Sequence, residues 1–223
     1  MGQKLWIEND PFTKFSEAIR TLRETLFAQL PEGSPPVVIV TATHRGDGCS
    51  TVIANLAVSC AHTGRRVLVV DGDFAGRGLE DIFGISHKMG LLEYFSGNQV
   101  ETIPTGIENL MFLPAGTSTS GTHPFDSPKL KDIIDGFRKS FDAVFIDTAP
   151  ILDKCDAVVL GQKASGVLLV FRAGNFIRED EITAREMLER SNVRMIGAIF
   201  NRIREEDQDP FYTYQRYLEK QEK

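Results

Sequence analysis

Apolar positions along this chain follow two alternating rhythms. Contiguous apolar runs, rich in β-branched residues, occur at 37–42 (VVIVTA), 66–71 (RVLVVD), 109–115 (NLMFLPA), 141–147 (FDAVFID), 166–172 (GVLLVFR) and 195–201 (MIGAIFN). Short runs of this kind predict strands buried on both faces. Between them the apolar residues recur at helical spacing. Ile53, Leu56, Ala57 and Cys60 predict a helix opened by Ser50 and Thr51. Further helices are predicted over 79–83, 90–95, 127–139, 153–163 and 178–191. Ahead of the first strand, Phe15, Ile19, Leu22, Leu26 and Leu30 are spaced 4-3-4-4, which predicts an amphipathic helix over 13–29. A Pro- and Gly-containing stretch, 31–36, ends it. Strands alternating with amphipathic helices predict a doubly wound α/β fold, a mainly parallel sheet with helices on both faces. The organisation expected is an N-terminal helix and linker (1–36), an α/β domain (37–204) and a polar tail (205–223).

Composition narrows the classes. A chain of 223 residues with 42% hydrophobic content can bury a full core in one domain. A net charge of −6 and a pI near 5.3 argue against a surface built for nucleic acid or anionic lipid. No apolar run approaches the ~18–20 residues that span a bilayer, so direct membrane insertion is not expected. MGQKLWIEND carries no apolar signal core, and Trp6 stands where myristoylation of Gly2 requires serine or threonine. The three cysteines show no metal-ligand spacing. A reduced, cytoplasmic protein is expected.

The candidate chemistry lies at the ends of the predicted strands, where a doubly wound sheet binds its ligands. After the first run comes Arg45-Gly46-Asp47-Gly48-Cys49-Ser50-Thr51. Strand, glycine-rich turn and helix make a phosphate cradle: the glycines let backbone N–H groups wrap the oxygens, and the helix N-terminus adds partial positive charge. Such loops end G-K-[ST], the lysine reaching the β- and γ-phosphates. Here that position is Cys49. Asp71 and Asp73 follow the second run and Asp147 another, placed to hold Mg²⁺ with the Ser50 hydroxyl or to orient a nucleophile. Each carboxylate, and Ser50 too, equally suits capping of the next helix. A thiol at a helix N-terminus is also expected to have a lowered pKa, so Cys49 is weighed both as a redox switch and as a tolerated replacement. Cys60 and Cys155 are expected to be core residues on helices.

These motifs, in this order, resemble the bacterial tyrosine kinase (BY-kinase) family of capsule and exopolysaccharide export, within the wider MinD/ParA-like group of P-loop ATPases. Glu17-Ala-Ile-Arg20-Thr-Leu-Arg23 is similar to the family's E-x-x-R-x-x-R motif, THRGDGCSTVIANLA to its Walker A segment, VLVVDGD to Walker A′ and FDAVFIDTAP to Walker B. The resemblance runs from about residue 17 to 203. It implies an ATP/ADP and Mg²⁺ site, with Asp71 as base toward a tyrosine hydroxyl, Asp73 and Asp147 organising Mg²⁺, and Asn201 contacting adenine. It implies homo-oligomers through Glu17, Arg20 and Arg23, which otherwise form ion pairs on a solvated helix face. It implies a membrane-embedded chain-length (co-polymerase) protein as partner, recruiting this chain to the inner face of the membrane. Tyr212, Tyr214 and Tyr217 resemble the family's autophosphorylated C-terminal cluster, although Phe211, Tyr214 and Leu218 are also spaced for a docking helix.

The departures bear on activity. Besides Cys49, Ala75 stands where the family's D-x-D-x-R has arginine, and His44 stands where MinD/ParA proteins carry a signature lysine. Losing a contact to transition-state charge costs on the order of 10²–10³ in rate. Arg45 is weighed as a partial substitute, its direction being unreadable from sequence. Three functions are expected to compete: a BY-kinase-like regulator with impaired phosphoryl transfer, an active tyrosine autokinase, and a MinD/ParA-like positioning ATPase.

Overall fold

The computed structural model describes residues 5–31, 33–86, 88–117 and 123–203. Its centre is a seven-stranded sheet built from β1 (Val37–Ala42), β2 (Val67–Asp71), β3 (Ile103–Pro104), β4 (Leu110–Leu113), β5 (Ala143–Asp147), β6 (Gly166–Arg172) and β7 (Met195–Asn201), ordered β3-β4-β2-β5-β1-β6-β7. All pairings are parallel except the short β3–β4 edge. The doubly wound α/β class expected from the apolar rhythm is the fold observed.

The helices are α1 (Trp6–Asn9), α2 (Lys14–Gln29), α3 (Cys49–Ala61), α4 (Gly78–Phe83), α5 (Leu91–Phe95), α6 (Leu130–Ser140), α7 (Asp156–Gly161) and α8 (Arg178–Arg190). They divide between the two faces, and the period of two along each strand shows it. Val38, Val40, Val67 and Val69 pack with α2 and α3, whereas Val37, Ile39, Leu68 and Val70 pack with α6, α7 and α8. β1 is buried along its whole length. Each such valine or isoleucine contributes about 1.5–3 kcal/mol relative to exposure. No helix among the described residues is long and apolar enough to cross a membrane.

Several boundaries differ from expectation. α7 starts three residues late, because Ile151–Asp153 form a turn in which Ile151 N–H bonds to Ala42 O. α6 starts at Leu130 after a 3₁₀ turn, Pro124–Asp126. Cys155 is exposed and precedes α7, so it is neither helical nor a core residue, whereas Cys60 is buried on α3 as expected. α2 is capped by Thr13, whose side chain accepts from Ser16 N. It packs on α3 through Ile19 and Leu26 within one core. The tail from 204 onward, with Tyr212, Tyr214 and Tyr217, lies outside the described residues.

Candidate phosphate-binding site

The cleft is set by register. β2 and β5 pair with Asp71 beside Asp147, so two carboxylates end adjacent strands at one level. β1 lies on the other side of β5, with Val40 opposite Asp147. The chain then turns from β1 into α3 through His44–Gly48. Gly46 (φ 87°) and Gly48 (φ 99°) take the left-handed backbone that only glycine adopts without strain. Asp47 is buried and closes the turn from within, its carboxylate accepting from His44 N at 3.0 Å and Thr43 Oγ1 at 3.4 Å. The first N–H groups of α3 have no partner inside the helix, and they face a cleft of about 470 Å³.

Most of the residues anticipated for the site meet there. Arg45, Gly46, Asp47, Gly48, Cys49, Ser50, Thr51, Asp73 and Asp147 all line the cleft. Ser50 Oγ donates to Asp147 Oδ2 at 2.6 Å. Asp71 is 2% exposed and sits behind the lining. Its Oδ1 accepts from Asp73 N at 3.1 Å, and its Oδ2 has no partner. Asn201, at the end of β7, donates through Nδ2 to Asp47 O at 2.9 Å. A Cβ on Gly48 would overlap that amide. Asn201 thus buttresses the loop's backbone.

Burial decides the electrostatics. It pushes the Asp71 carboxyl up to about 8, with the charge of Asp147 adding to the shift. It pushes Asp147 up to about 6, against the lowering effect of the Ser50 and Cys49 hydrogen bonds. The same environment corrects the expectation for Cys49. Its thiol is raised well above the ordinary value, first by burial and then by Asp147. The helix N-terminus does not make it a reactive thiolate, because the half-buried group packs against the core beneath α3 on one side and lies in the field of the Asp147 carboxylate. The redox-switch reading of Cys49 loses its premise.

Two side chains near the loop are engaged. Arg45 holds Asp73 in a two-pronged pair, Nη1–Oδ2 3.0 Å and Nη2–Oδ1 3.4 Å. His44 Nε2 lies 3.3 Å from Asp180 Oδ2 on α8. On α2, Glu17 pairs with Arg20, as expected for a solvated face. Glu24 pairs with Arg23 instead of Arg20, and Arg23 Nη1 also donates to Ser59 O and Oγ at 2.9 and 3.0 Å.

Sequence reasoning passed over three glycines. A Cβ on Gly72 would crowd Asp147 O, one on Gly76 would crowd the Asp73 carboxylate, and one on Gly78 would overlap Ser50 Oγ. The spacing D-G-D-x-x-G-x-G carried that signal, since glycine is required where another segment approaches this closely. A histidine–carboxylate contact was also missed. His123 Nε2 lies 3.2 Å from Oδ1 of buried Asp156, and the imidazole stands beside the Phe74 and Phe125 rings. Nothing in the local sequence of either residue signals their meeting.

The residues fit phosphate and a divalent cation in every respect but one. The loop backbone, Ser50 and the acidic strand ends are arranged for them, while the first residue of α3 offers a neutral thiol. Fold and cleft together define a P-loop protein of the nucleotide-binding α/β class. No family model matches the chain. The tyrosine-protein kinase CpsD of Streptococcus pneumoniae is 33% identical over 180 residues, 78% of this chain and 79% of that one. EpsB of Ralstonia solanacearum is 31% identical over 206 residues, which span 91% of this chain but 28% of that protein's length. Among solved structures, the kinase domain of the Escherichia coli tyrosine kinase Etk superposes with a TM-score of 0.84 at 24% identity, covering 90% of this chain and 80% of that domain. MinD of Pyrococcus horikoshii, complexed with Mg-ADP, shares the fold at a TM-score of 0.65 and 23% identity, covering 81% and 76%. The chain belongs to the bacterial tyrosine kinase family.

Proposed function

We propose that this chain is a regulatory BY-kinase-type protein. It works in capsule or exopolysaccharide polymerisation and export beside a membrane-embedded chain-length protein, which recruits it to the inner face of the membrane. It holds ATP or ADP with Mg²⁺ weakly and transfers phosphoryl groups poorly. The observation that carries this reading is the Cys49 thiol, tucked against Asp147 where the fold calls for a cation. Around it the rest of the site is in place. The backbone of 46–51 would hold the phosphates, and Ser50, Asp73 and Asp147 the metal. The bound nucleotide supplies the phosphoryl group for transfer. Asp71 keeps a proton in the empty protein at neutral pH, so it acts as a base toward a hydroxyl only where positive charge beside Asp73 and Asp147 lowers it.

An active tyrosine autokinase is the second reading. It is favoured by the adjacent Asp71 and Asp147 at the ends of β2 and β5 and by the tyrosines at 212, 214 and 217. A positioning ATPase of the MinD kind is disfavoured, because His44 takes the signature-lysine position and is held by Asp180.

The deciding experiment is calorimetric titration of Mg-ATP and Mg-ADP into wild type and Cys49→Lys, with phosphotyrosine measured on both purified proteins. The expected result is weak binding and no phosphotyrosine for wild type. Cys49→Lys should bind at least about tenfold tighter, the weight of one charge-assisted hydrogen bond, and should gain phosphotyrosine. Tail phosphotyrosine on the wild type as expressed would establish the autokinase instead.

A further inference from the structure

We infer that Arg45 is the phosphate-binding cation of this cleft, taking the part left vacant at Cys49, and that Asp73 holds it as a latch until an anion enters. This rests on the nucleotide-site reading above and names the residue that would make it work. Three observations carry it. Arg45 belongs to the loop and lines the same cleft as Gly48, Ser50 and Asp147. Its guanidinium grips Asp73 with two hydrogen bonds, so it already stands over the acidic wall where a metal–phosphate group would sit. It is also half exposed, its side chain 49% accessible, with Asp153 at 4.0 Å as its other anionic neighbour.

The chemistry favours an exchange of partners. An arginine fork matches two phosphate oxygens as well as it matches a carboxylate. Asp73 is 16% exposed, but the guanidinium side of the pair is open to solvent, where an incoming anion reaches it and where ion pairs are weak. When phosphate takes the guanidinium, the Asp73 carboxylate becomes free to ligate a cation. One swap thereby supplies both the positive charge that Cys49 lacks and the carboxylate that the metal needs. The arrangement is self-guarding: without Arg45, Asp73 and Asp147 would present two carboxylates to an incoming polyphosphate.

The test is a double-mutant cycle in Mg-ADP affinity, read by calorimetry on wild type, Arg45→Ala, Cys49→Lys and the double variant, with Arg45→Lys as a fifth protein. Melting curves verify that each is folded. In the wild-type background Arg45→Ala should weaken binding about ten- to a hundredfold, the weight of a charge-assisted contact. Arg45→Lys, which keeps charge but loses the fork, should fall between. In the Cys49→Lys background the same alanine change should matter less than about threefold, because the lysine then neutralises the phosphates. Equal losses in both backgrounds, or none in the first, would overturn the role of Arg45 while leaving the nucleotide site standing. Binding by Cys49→Lys but not by wild type would overturn it too. Binding by none of the five would instead remove the nucleotide-site reading.

Discussion

The acidic wall of the cleft and the loop facing it are built in opposite ways. The wall is made of strand ends. Asp71 and Asp147 are buried in fixed register, and they stay where β2 and β5 put them whatever occupies the cleft. The loop is held by single interactions: two left-handed glycines, the Asp47 carboxylate and one amide from β7. On the wall the family's acidic residues persist in place. On the loop the first residue of α3 carries a half-buried thiol, and Arg45 pairs with Asp73 on the wall. A strand end is locked by core packing on both faces. A loop side chain is held by far less, so under the role inferred for Arg45 the cation changes its position in the chain while the carboxylates keep theirs.

The sharpest break in that contrast comes from Gly48→Ala. Left-handed backbone costs alanine about 1–2 kcal/mol, and the new methyl would displace Asn201 from Asp47 O, a loss of about 1 kcal/mol. Denaturant unfolding should show about 2–3 kcal/mol of lost stability, together with loss of Mg-ADP binding. A variant within 0.5 kcal/mol of wild type on that rough scale would mean that Asn201 is no buttress.

The wall should respond with the opposite sign. Asp71 in the folded, metal-free protein keeps its proton up to about pH 8, whereas an unfolded aspartate releases it near 3.8. Between those values the folded state binds more protons, so stability falls as pH rises and levels off above about 8. Asp71→Asn removes this penalty. At pH 8 it should be more stable than wild type, and the advantage should shrink as the pH falls and vanish near pH 4. A destabilised Asp71→Asn at pH 8 would show that the carboxyl is satisfied in a way that its unpartnered Oδ2 does not suggest.

Ser50→Ala joins the two regions, since the Ser50 hydroxyl ties the loop's helix to the wall. That bond favours the ionised form of Asp147, whose carboxyl sits at about 6. The cost of the change should be about 1–2 kcal/mol at pH 8 and should shrink below pH 6 as Asp147 takes up its proton. A cost independent of pH would point to lost packing of the side chain rather than to the carboxylate.

The same division explains what could be read from the residues alone. Strands buried on both faces declare themselves as contiguous apolar runs, and all six such runs are strands of the sheet, although β7, at the edge, is only partly buried. β3 escaped because it is a two-residue edge containing Pro104, and α1 because a single turn has no period to detect. The carboxylates were legible because they end strands. The grip of Arg45 on Asp73 spans 28 residues and that of His123 on Asp156 joins a loop to the start of α7; neither has a periodic signature. The placing of Cys49 beside Asp147 reversed the reading of its acidity for the same reason. Helix-terminus chemistry is local and visible in sequence, whereas burial against Asp147 is not.

The smallest effect belongs to α2, where residues of one motif have separate environments. Arg23 is only 15% exposed in its side chain and bonds to Ser59 on α3, while Glu17 is 63% exposed and pairs with its own helix's Arg20. Arg23→Ala should cost the folded chain about 1 kcal/mol through the lost hydrogen bonds. Glu17→Ala should cost less than about 0.5 kcal/mol, as for other exposed helix pairs. Sedimentation then separates folding from assembly. If the motif carries self-association, Glu17→Ala should weaken it with the folded chain intact, whereas Arg23→Ala should lower both association and stability. Equal destabilisation by the two substitutions would mean that Glu17 supports the fold as Arg23 does, leaving its exposed carboxylate no separate part in assembly.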